Sequence, residues 1–470
     1  MAANTLVFNS VVFLFCFMPL ALGLYYLVPA RIKNAVLLAE SLIFFCWAGV
    51  SWLPLIVILI AAGYLGGLVI ERMAKGPGRR AVLAVTVIVC AAALVFCKYT
   101  NFLIETINAV ASFKLAELSF LDVLPLGISY YTFKFISYLA DVYTGKSKAE
   151  HNLVDFSAYV LMYPQLIVGP IVKYREISEA LHHPESRCTL KRAQDGAEMF
   201  VFGLAKKVIL ADSIAMLWQD IIGADGIGLS QASLPLAWLG IIAYSFQLYF
   251  DFSGYSEMSN GLSLMMGFEC PANFNLPYTS SSITEFWRRW HISLSGWFRD
   301  YVYIPLGGNR RGAARQILNM LAVWALTGIW HGANWNFICW GLYYFVLLVI
   351  EKTFLLKYLK KGRVWPHIYT LFFVVIGWGL FTCNMPGAPL GLLLHQLFIP
   401  HGGVSCLYFL RNYAVLLVLC AVCSTPIPGR IWNRCKRHTP ARVAVLGASM
   451  ILCVAYVIAA TGSTALYANF

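Results

Sequence analysis

Long apolar runs recur along the whole chain. They lie at roughly 7–28, 35–50, 51–70, 81–97, 120–141, 195–219, 233–255, 315–331, 335–351, 366–384, 406–424 and 442–461. A helix rises about 1.5 Å per residue, so some 20 apolar residues reach across a hydrocarbon layer about 30 Å thick. A chain punctuated in this way is a polytopic membrane protein. Its composition agrees: 60% of the 470 residues are apolar and 12% are charged, against roughly 45–50% and about 25% in soluble domains. A disordered chain, a secreted disulfide scaffold and an ordinary cytosolic enzyme are excluded. The polar stretches between the runs are too short to bury a core of their own.

The net charge of +13 would invite a nucleic-acid reading in a soluble protein. Here 29 of the 35 Lys and Arg residues fall in short inter-run loops: 31–33, 72–80, 146–148, 173–192, 288–315, 352–363 and 430–442. That is the signature of cytoplasmic loops. No Lys or Arg precedes the first run, so the N-terminus is expected outside and the loop at 71–80 inside. An even number of spans returns the C-terminus to the outside. Met1-Ala-Ala-Asn4 lacks a basic n-region, so the first run is expected to be a retained span. The thirteen cysteines are scattered, mostly within apolar runs. Cys420 and Cys423 form a CxxC inside such a run and read as small buried hydrophobes. Segments 99–112 and 155–171 are expected to be half-embedded. The second carries Pro164 and Pro170, which break helices, and such backbone survives at membrane depth only when buried in protein or lining a cavity.

Two stretches carry chemistry. In Ser282-Ile-Thr-Glu-Phe-Trp-Arg-Arg-Trp-His291-Ile-Ser-Leu-Ser-Gly-Trp-Phe-Arg-Asp-Tyr301, the Ser282/Glu285 spacing is that of a capping box and predicts a helix start. At about 100° per residue, Phe286, Trp287, Trp290, Leu294, Trp297, Phe298 and Tyr301 share one arc and Arg288, Arg289 and Arg299 lie opposite. This predicts one interfacial helix, aromatic side toward lipid or protein and guanidinium side toward cytosol or phosphates. His291 falls at the edge of the arc, either as a packed core residue or as an imidazole facing a cavity. The second stretch is Thr327-Gly-Ile-Trp330-His331-Gly332-Ala-Asn334-Trp335. No Asp, Glu, Lys or Arg occurs from Ile317 to Ile350. An ionisable group there is costly and marks a site. Imidazole titrates near neutrality and can take a hydroxyl proton and return it. The plainer alternative is a helix-packing histidine.

Asp251, in Tyr249-Phe-Asp251-Phe-Ser253-Gly-Tyr255, needs a partner. It can orient an imidazole, pair with an arginine or cap a helix segment. His182, His183, His401 and His438 read as solvated loop residues. No Cys/His/Asp/Glu group has metal-ligand spacing, and there is no Walker or GxGxxG signature; neither a metal nor a bound cofactor is expected.

Taken together, Gln247-Leu-Tyr-Phe-Asp-Phe-Ser-Gly-Tyr255, Phe286-Trp-Arg-Arg-Trp-His291-Ile-Ser-Leu-Ser, Arg299-Asp-Tyr, Pro305-Leu-Gly-Gly-Asn309-Arg310 and Trp330-His-Gly-Ala-Asn334 resemble the membrane-bound O-acyltransferase family, in particular its bacterial alginate O-acetylation branch. The likeness starts at Val7-Phe-Asn-Ser and runs through Leu126-Gly-Ile-Ser-Tyr-Tyr131 and Gly203-Leu-Ala-Lys-Lys207 to Ile376-Gly-Trp378. Thr327 stands where the branch often has glycine, and Leu466-Tyr-Ala-Asn-Phe470 is a shortened form of its aromatic-rich ending. The resemblance implies a single all-α membrane domain over 1–470, with about 11–12 spans plus re-entrant and interfacial helices around a central channel. It implies transfer of an acetyl group from a cytosolic thioester, acetyl-CoA, to an extracytoplasmic polysaccharide at a bacterial inner membrane. A periplasmic SGNH-type O-acetyltransferase is the expected partner. His331 is then the base and His291 lies on the cytosolic side. Trp330, Asn334 and Asp251 support them, and Arg288, Arg289 and Arg299 are candidates for donor phosphates. Cys339 lies eight residues past His331, about 12 Å along a continuous helix, so direct transfer is expected rather than an acyl-enzyme. The rivals are a D-alanyl transferase acting on teichoic acid from a carrier protein, a transporter or flippase, and an idle docking scaffold. No internal repeat favours the transporter.

The charge pattern generates a topology prediction. Cysteines introduced as Arg79→Cys and Arg434→Cys, in a background without reactive native cysteines, should resist a membrane-impermeant thiol reagent in intact cells. Strong labelling from outside at either position overturns the assignment.

Overall fold

The computed structural model describes residues 6–111, 114–222, 227–383 and 389–459. The closing Leu466–Phe470 segment lies outside the described residues. The described chain is all-α, its helices extended or joined by short 3-10 and π-helical pieces, with one isolated parallel bridge between Ala232 and Val404. Among the described residues, six helices are long and apolar enough to cross a bilayer: Val50–Arg72, Pro77–Val110, Trp335–Leu359, Trp365–Thr382, Cys406–Cys423 and Thr439–Ala459. Large apolar side chains stand exposed along them, among them Ile58, Ile88, Val415, Val443 and Ile451, as a hydrocarbon solvent permits. The protein is a multi-pass membrane protein.

Other apolar runs are also helical. Run 35–50 is the helix Lys33–Ala48, 120–141 falls largely in Ile128–Thr144, and 315–331 in Ala313–His331. Run 195–219 is spread over Leu190–Ala205, the π-helical Lys206–Ala211 and Asp212–Ile222. Two expectations are corrected. Segment 99–112 is not set off from the run before it: the helix Pro77–Val110 continues through residues 99–110, because no Gly or Pro interrupts residues 79–110, and residue 112 lies outside the described residues. Residues 282–301 are not one interfacial helix. The helix Ile283–Arg289 stops, His291 adopts left-handed backbone (φ 45°, ψ 55°), and a second helix runs Ile292–Phe298 into a π-helical turn, Arg299–Tyr303. Phe286, Trp290, Leu294, Trp297 and Phe298 are buried in protein rather than turned to lipid.

The expected break near Pro164 is present. The helix Leu153–Leu161 ends at Met162, one helical turn follows over Tyr163–Leu166, and residues 155–174 are all buried. The capping box is half realised. The Ser282 hydroxyl accepts the Glu285 N–H at 3.0 Å, but the Glu285 carboxylate accepts from the Ser281 N–H and hydroxyl instead. Glu351, fully buried, accepts the Ile283 and Thr284 N–H groups at 2.7 and 2.8 Å and so caps the same helix from outside it.

The chain divides into two compact units. The first holds the residues up to Phe200 with Ser256–Ala272, and the second Val201–Tyr255 with the chain from Asn273 onward. In the first, the helices Leu53–Arg72, Pro77–Val110 and Ile128–Thr144 pack on one another. In the second, Ala313–His331 lies against Trp335–Ile350, which in turn meets Trp365–Thr382. The contact between the helices Ala313–His331 and Trp335–Ile350 depends on two glycines. A Cβ on Gly328 would come within 2.5 Å of the Phe337 carbonyl oxygen, and one on Gly341 within 2.5 Å of the Trp324 carbonyl oxygen. Small residues let membrane helices approach to backbone contact.

Gly341→Ala should therefore lower stability by about 1–3 kcal/mol through overpacking. Gly23→Ala, where nothing lies within 4 Å, should be neutral or stabilising. Thermal unfolding of the two variants in detergent is the measurement; equal midpoints would refute the close approach.

Candidate active site

Both histidine stretches and the residues that surround them belong to the second unit. The Trp330-His331-Gly332-Ala-Asn334 stretch is the turn between the two glycine-packed helices. His331 is the last residue of the first helix, and Gly332 follows in extended backbone. A Cβ on Gly332 would overlap the Phe337 ring. Asn334 caps the next helix, its side-chain oxygen accepting the Asn336 N–H at 3.4 Å. The geometry gives Asn334 a cap role, which the turn itself requires.

His331 is 5% exposed. Its ring meets Trp330 at 4.8 Å, Trp340 edge-on at 4.9 Å and Phe381 edge-on at 5.3 Å between centroids. His291 is 2% exposed and meets Phe252 edge-on at 4.7 Å. Trp330 also approaches His291, with centroids 6.1 Å apart. The structure thus brings both motif histidines to one indole, from stretches forty residues apart in sequence. The enclosure continues through Trp290, Trp378 and Trp340, with Trp290 4.7 Å from Trp378 and Trp378 5.9 Å from Phe381. Aromatic edges and faces form the walls, so a reacting group here would be shielded from water.

The His291 Nδ1 lies 3.1 Å from the Asn273 Oδ1, and the same oxygen accepts from the Ser293 N–H at 3.2 Å and its hydroxyl at 2.9 Å. His291 lies outside the six long apolar helices, and burial pushes its imidazole down to about 3. It is neutral at physiological pH. Asn273 was not legible as a site residue, since it sits in a Pro/Asn-rich connection, Pro271-Ala-Asn-Phe-Asn-Leu-Pro277, that reads as an ordinary turn.

Asp251 neither meets an arginine nor caps a helix. The Lys207 Nζ lies 2.7 Å from its Oδ1, and 2.6 Å from the Asp212 Oδ1. Lys207 and Asp251 are both fully buried. Lys207 was visible in the Gly203-Leu-Ala-Lys-Lys207 string, but nothing in sequence pairs it with a residue 44 positions on. The three arginines separate. Arg289 is committed to Glu285 at 2.6 Å and to the Thr279 hydroxyl at 3.3 Å. Arg299 is exposed and pairs with its neighbour Asp300 at 2.9 Å, and Arg288 is exposed. Cys339 is exposed on its helix.

In the first unit, Glu150, Asp155 and His182 bring their ligand atoms within 4.8 Å of one another, a grouping that sequence spacing hides. Each is engaged internally. Glu150 accepts from the Tyr174 hydroxyl at 2.5 Å and lies 2.7 Å from the His182 Nε2, and Asp155 accepts from Asn34 and Asn152. Burial raises Asp155 above the ordinary carboxylate value. His182 is the last residue of the helix Tyr174–His182 and is exposed, with its Nε2 turned to the buried Glu150. His401 is likewise ordered, its ring nitrogens 2.6 Å from the Ile399 carbonyl oxygen and 2.8 Å from that of Ala232.

Residues 146–385 match the membrane-bound O-acyltransferase family. The chain belongs to that family. It is 43% identical over 385 residues to the "Probable alginate O-acetylase AlgI" of Azotobacter vinelandii, covering 81% of this chain and 75% of the relative. It is 42% identical over 387 residues to the protein of the same description from Pseudomonas aeruginosa, covering 81% and 72%. A peptidoglycan O-acetyltransferase of Helicobacter pylori is 33% identical over 413 residues, covering 81% and 77%. The protein is an acyltransferase of the O-acetyltransferase type, and His291 and His331 both fall in the matched segment.

The buried ion pair yields a prediction. Lys207→Met leaves a carboxylate uncompensated in the interior and should cost about 3–5 kcal/mol. Lys207→Met combined with Asp251→Leu should lose less than Lys207→Met alone, because the carboxylate then left without the lysine, Asp212, is partly exposed rather than fully buried. The unfolding midpoints of the single and double variants in detergent decide; a double variant less stable than the single refutes the pairing.

Proposed function

We propose that the protein passes an acetyl group from a cytosolic thioester, acetyl-CoA, across a bacterial inner membrane, for O-acetylation of an extracytoplasmic polysaccharide of the alginate kind. The whole chain serves as one acyltransferase domain, and a periplasmic SGNH-type O-acetyltransferase completes the modification. The observation that carries this reading is the buried His331, enclosed by Trp330, Trp340 and Phe381 at a helix end. In the proposed reaction His331 takes the proton of the acceptor hydroxyl. The oxygen attacks the thioester carbonyl carbon, the C–S bond breaks, and the proton goes to the departing thiolate. Trp330 holds the imidazole from one side. Arg288 and Arg299, both exposed, meet donor phosphates on the cytosolic face. Direct transfer is favoured because Cys339 points out of the helix pair into exposed surroundings.

The similarity pattern favours acetyl over D-alanyl transfer. The alginate O-acetylases are 40–43% identical over about four fifths of the chain, whereas the teichoic acid D-alanyltransferase of Bacillus subtilis is 31% identical over 283 residues, 55% of it.

His331→Ala and His331→Gln should each reduce acetyl transfer by about 10²–10⁴-fold, the usual loss for a missing general base. An amide holds geometry but takes no proton at neutral pH. The assay is transfer from labelled acetyl-CoA in proteoliposomes, per mole of purified protein, with expression and unfolding midpoint as controls. Retention of more than about a tenth of wild-type turnover by His331→Gln would remove His331 from the role of base.

A further inference from the structure

We infer that Asn273 is a positioning residue that fixes the tautomer of His291, so that His291 Nε2 presents a lone pair to an N–H or O–H group of the substrate. The inference rests on the acyl-transfer reading above and adds to it the role of the second imidazole.

The argument begins at a backbone group. The Ser293 N–H can only donate, and it points at one atom of the Asn273 amide at 3.2 Å. That atom must be the oxygen, which settles the orientation of the amide. Turning the amide over would set its NH₂ against the Ser293 N–H. The Ser293 hydroxyl donates to the same oxygen at 2.9 Å. The Asn273 main chain is held as well, its carbonyl accepting the Ile292 N–H at 3.0 Å. The amide oxygen is therefore an anchored acceptor. The His291 Nδ1, 3.1 Å from it, must carry the hydrogen. In a neutral imidazole the other nitrogen then holds the lone pair.

That other nitrogen, Nε2, is buried, and no hydrogen-bond partner meets it among the described residues. A buried acceptor left without a donor is costly, because it has given up its hydrogen bond to water for nothing. The backbone adds a second cost. His291 has φ 45° and ψ 55°, a left-handed conformation that disfavours side-chain-bearing residues because Cβ crowds the following carbonyl oxygen. This bend places Asn273 on Nδ1 and leaves Nε2 on the opposite side of the ring, which lies 6.1 Å from Trp330 between centroids. Both costs are explained if the substrate supplies the missing donor. Two parts of the proposed reaction carry one: the amide N–H groups of a pantetheine-type thioester donor, and the acceptor hydroxyl.

The experiment compares wild type, Asn273→Ala and Asn273→Asp in proteoliposomes. It measures kcat/KM for acetyl-CoA and for the acceptor across a pH series. Asn273→Ala frees the ring to exchange tautomers and should lose roughly tenfold in kcat/KM, the worth of one directing hydrogen bond. Asn273→Asp keeps an acceptor for Nδ1, Ser293 N–H and its hydroxyl, so it should fold and recover most of that loss at its optimum. The carboxylate also stabilises the imidazolium, so the His291 pKa rises. Activity should then fall on the acid side at a higher pH than in wild type. If the fall appears in kcat/KM for acetyl-CoA with the acceptor value unmoved, Nε2 meets the donor amide; the reverse pattern assigns it to the hydroxyl. Either pattern supports the inference. It is overturned if Asn273→Ala stays within twofold of wild type, or if Asn273→Asp shows an unshifted pH profile. A wild-type protein that transfers no acetyl from any thioester would instead sink the acyl-transfer reading.

Discussion

A polar group inside this protein has no bulk water to turn to, so it is costly unless another part of the chain meets it. Those pairings decide where helices stop and which side chains share a space. Glu351 takes the first N–H groups of the helix Ile283–Arg289, and that helix carries Phe286 and Trp287 into the aromatic enclosure. Lys207 holds Asp251, fixing the middle of the helix Leu234–Met265, on which Phe252 reaches His291. Asn273 anchors the start of the helix Ile292–Phe298 through Ile292 and Ser293. The imidazoles stand where they do because these long-range polar contacts leave the intervening chain few alternatives.

Membrane class and helical content follow from the length and spacing of the apolar runs, which depend on no partner. The errors fell where a helix boundary depends on something far away or on a missing breaker. Residues 99–112 look too polar to continue a span, yet helix propagation needs no apolar face. Asn101 is met there by Leu118, whose N–H and carbonyl both bond its side chain. Residues 282–301 have helical periodicity throughout, and the periodicity held for burial: most of the predicted arc is inside. What periodicity cannot register is a single left-handed residue, since histidine carries no turn signal as strong as that of glycine or proline.

The site shows the same division. His331 was legible because an ionisable group in a long uncharged segment is conspicuous, and Trp330 came with it. That His291 shares Trp330 was not, because the two stretches meet only through tertiary packing. Asp251 was visible as a carboxylate in need of a partner, but its match to Lys207 was hidden by 44 residues of separation. Asn273 was hidden more thoroughly. An asparagine in a Pro/Asn-rich connection is what any turn contains, and its role exists only once Ser293 and His291 converge on one oxygen.

The choice of an amide beside His291 follows from the same dielectric constraint. A carboxylate would orient the ring equally well, but it would add a buried charge and pull the imidazole toward its protonated form. An amide fixes the tautomer and leaves the ring neutral. The carboxylate that the second unit does bury near the middle of the helix Leu234–Met265, Asp251, is matched to Lys207 rather than to either histidine. That charge is thereby held in an ion pair rather than beside an imidazole. The aromatic enclosure keeps the His291 imidazole neutral, and His331 shares Trp330 with it.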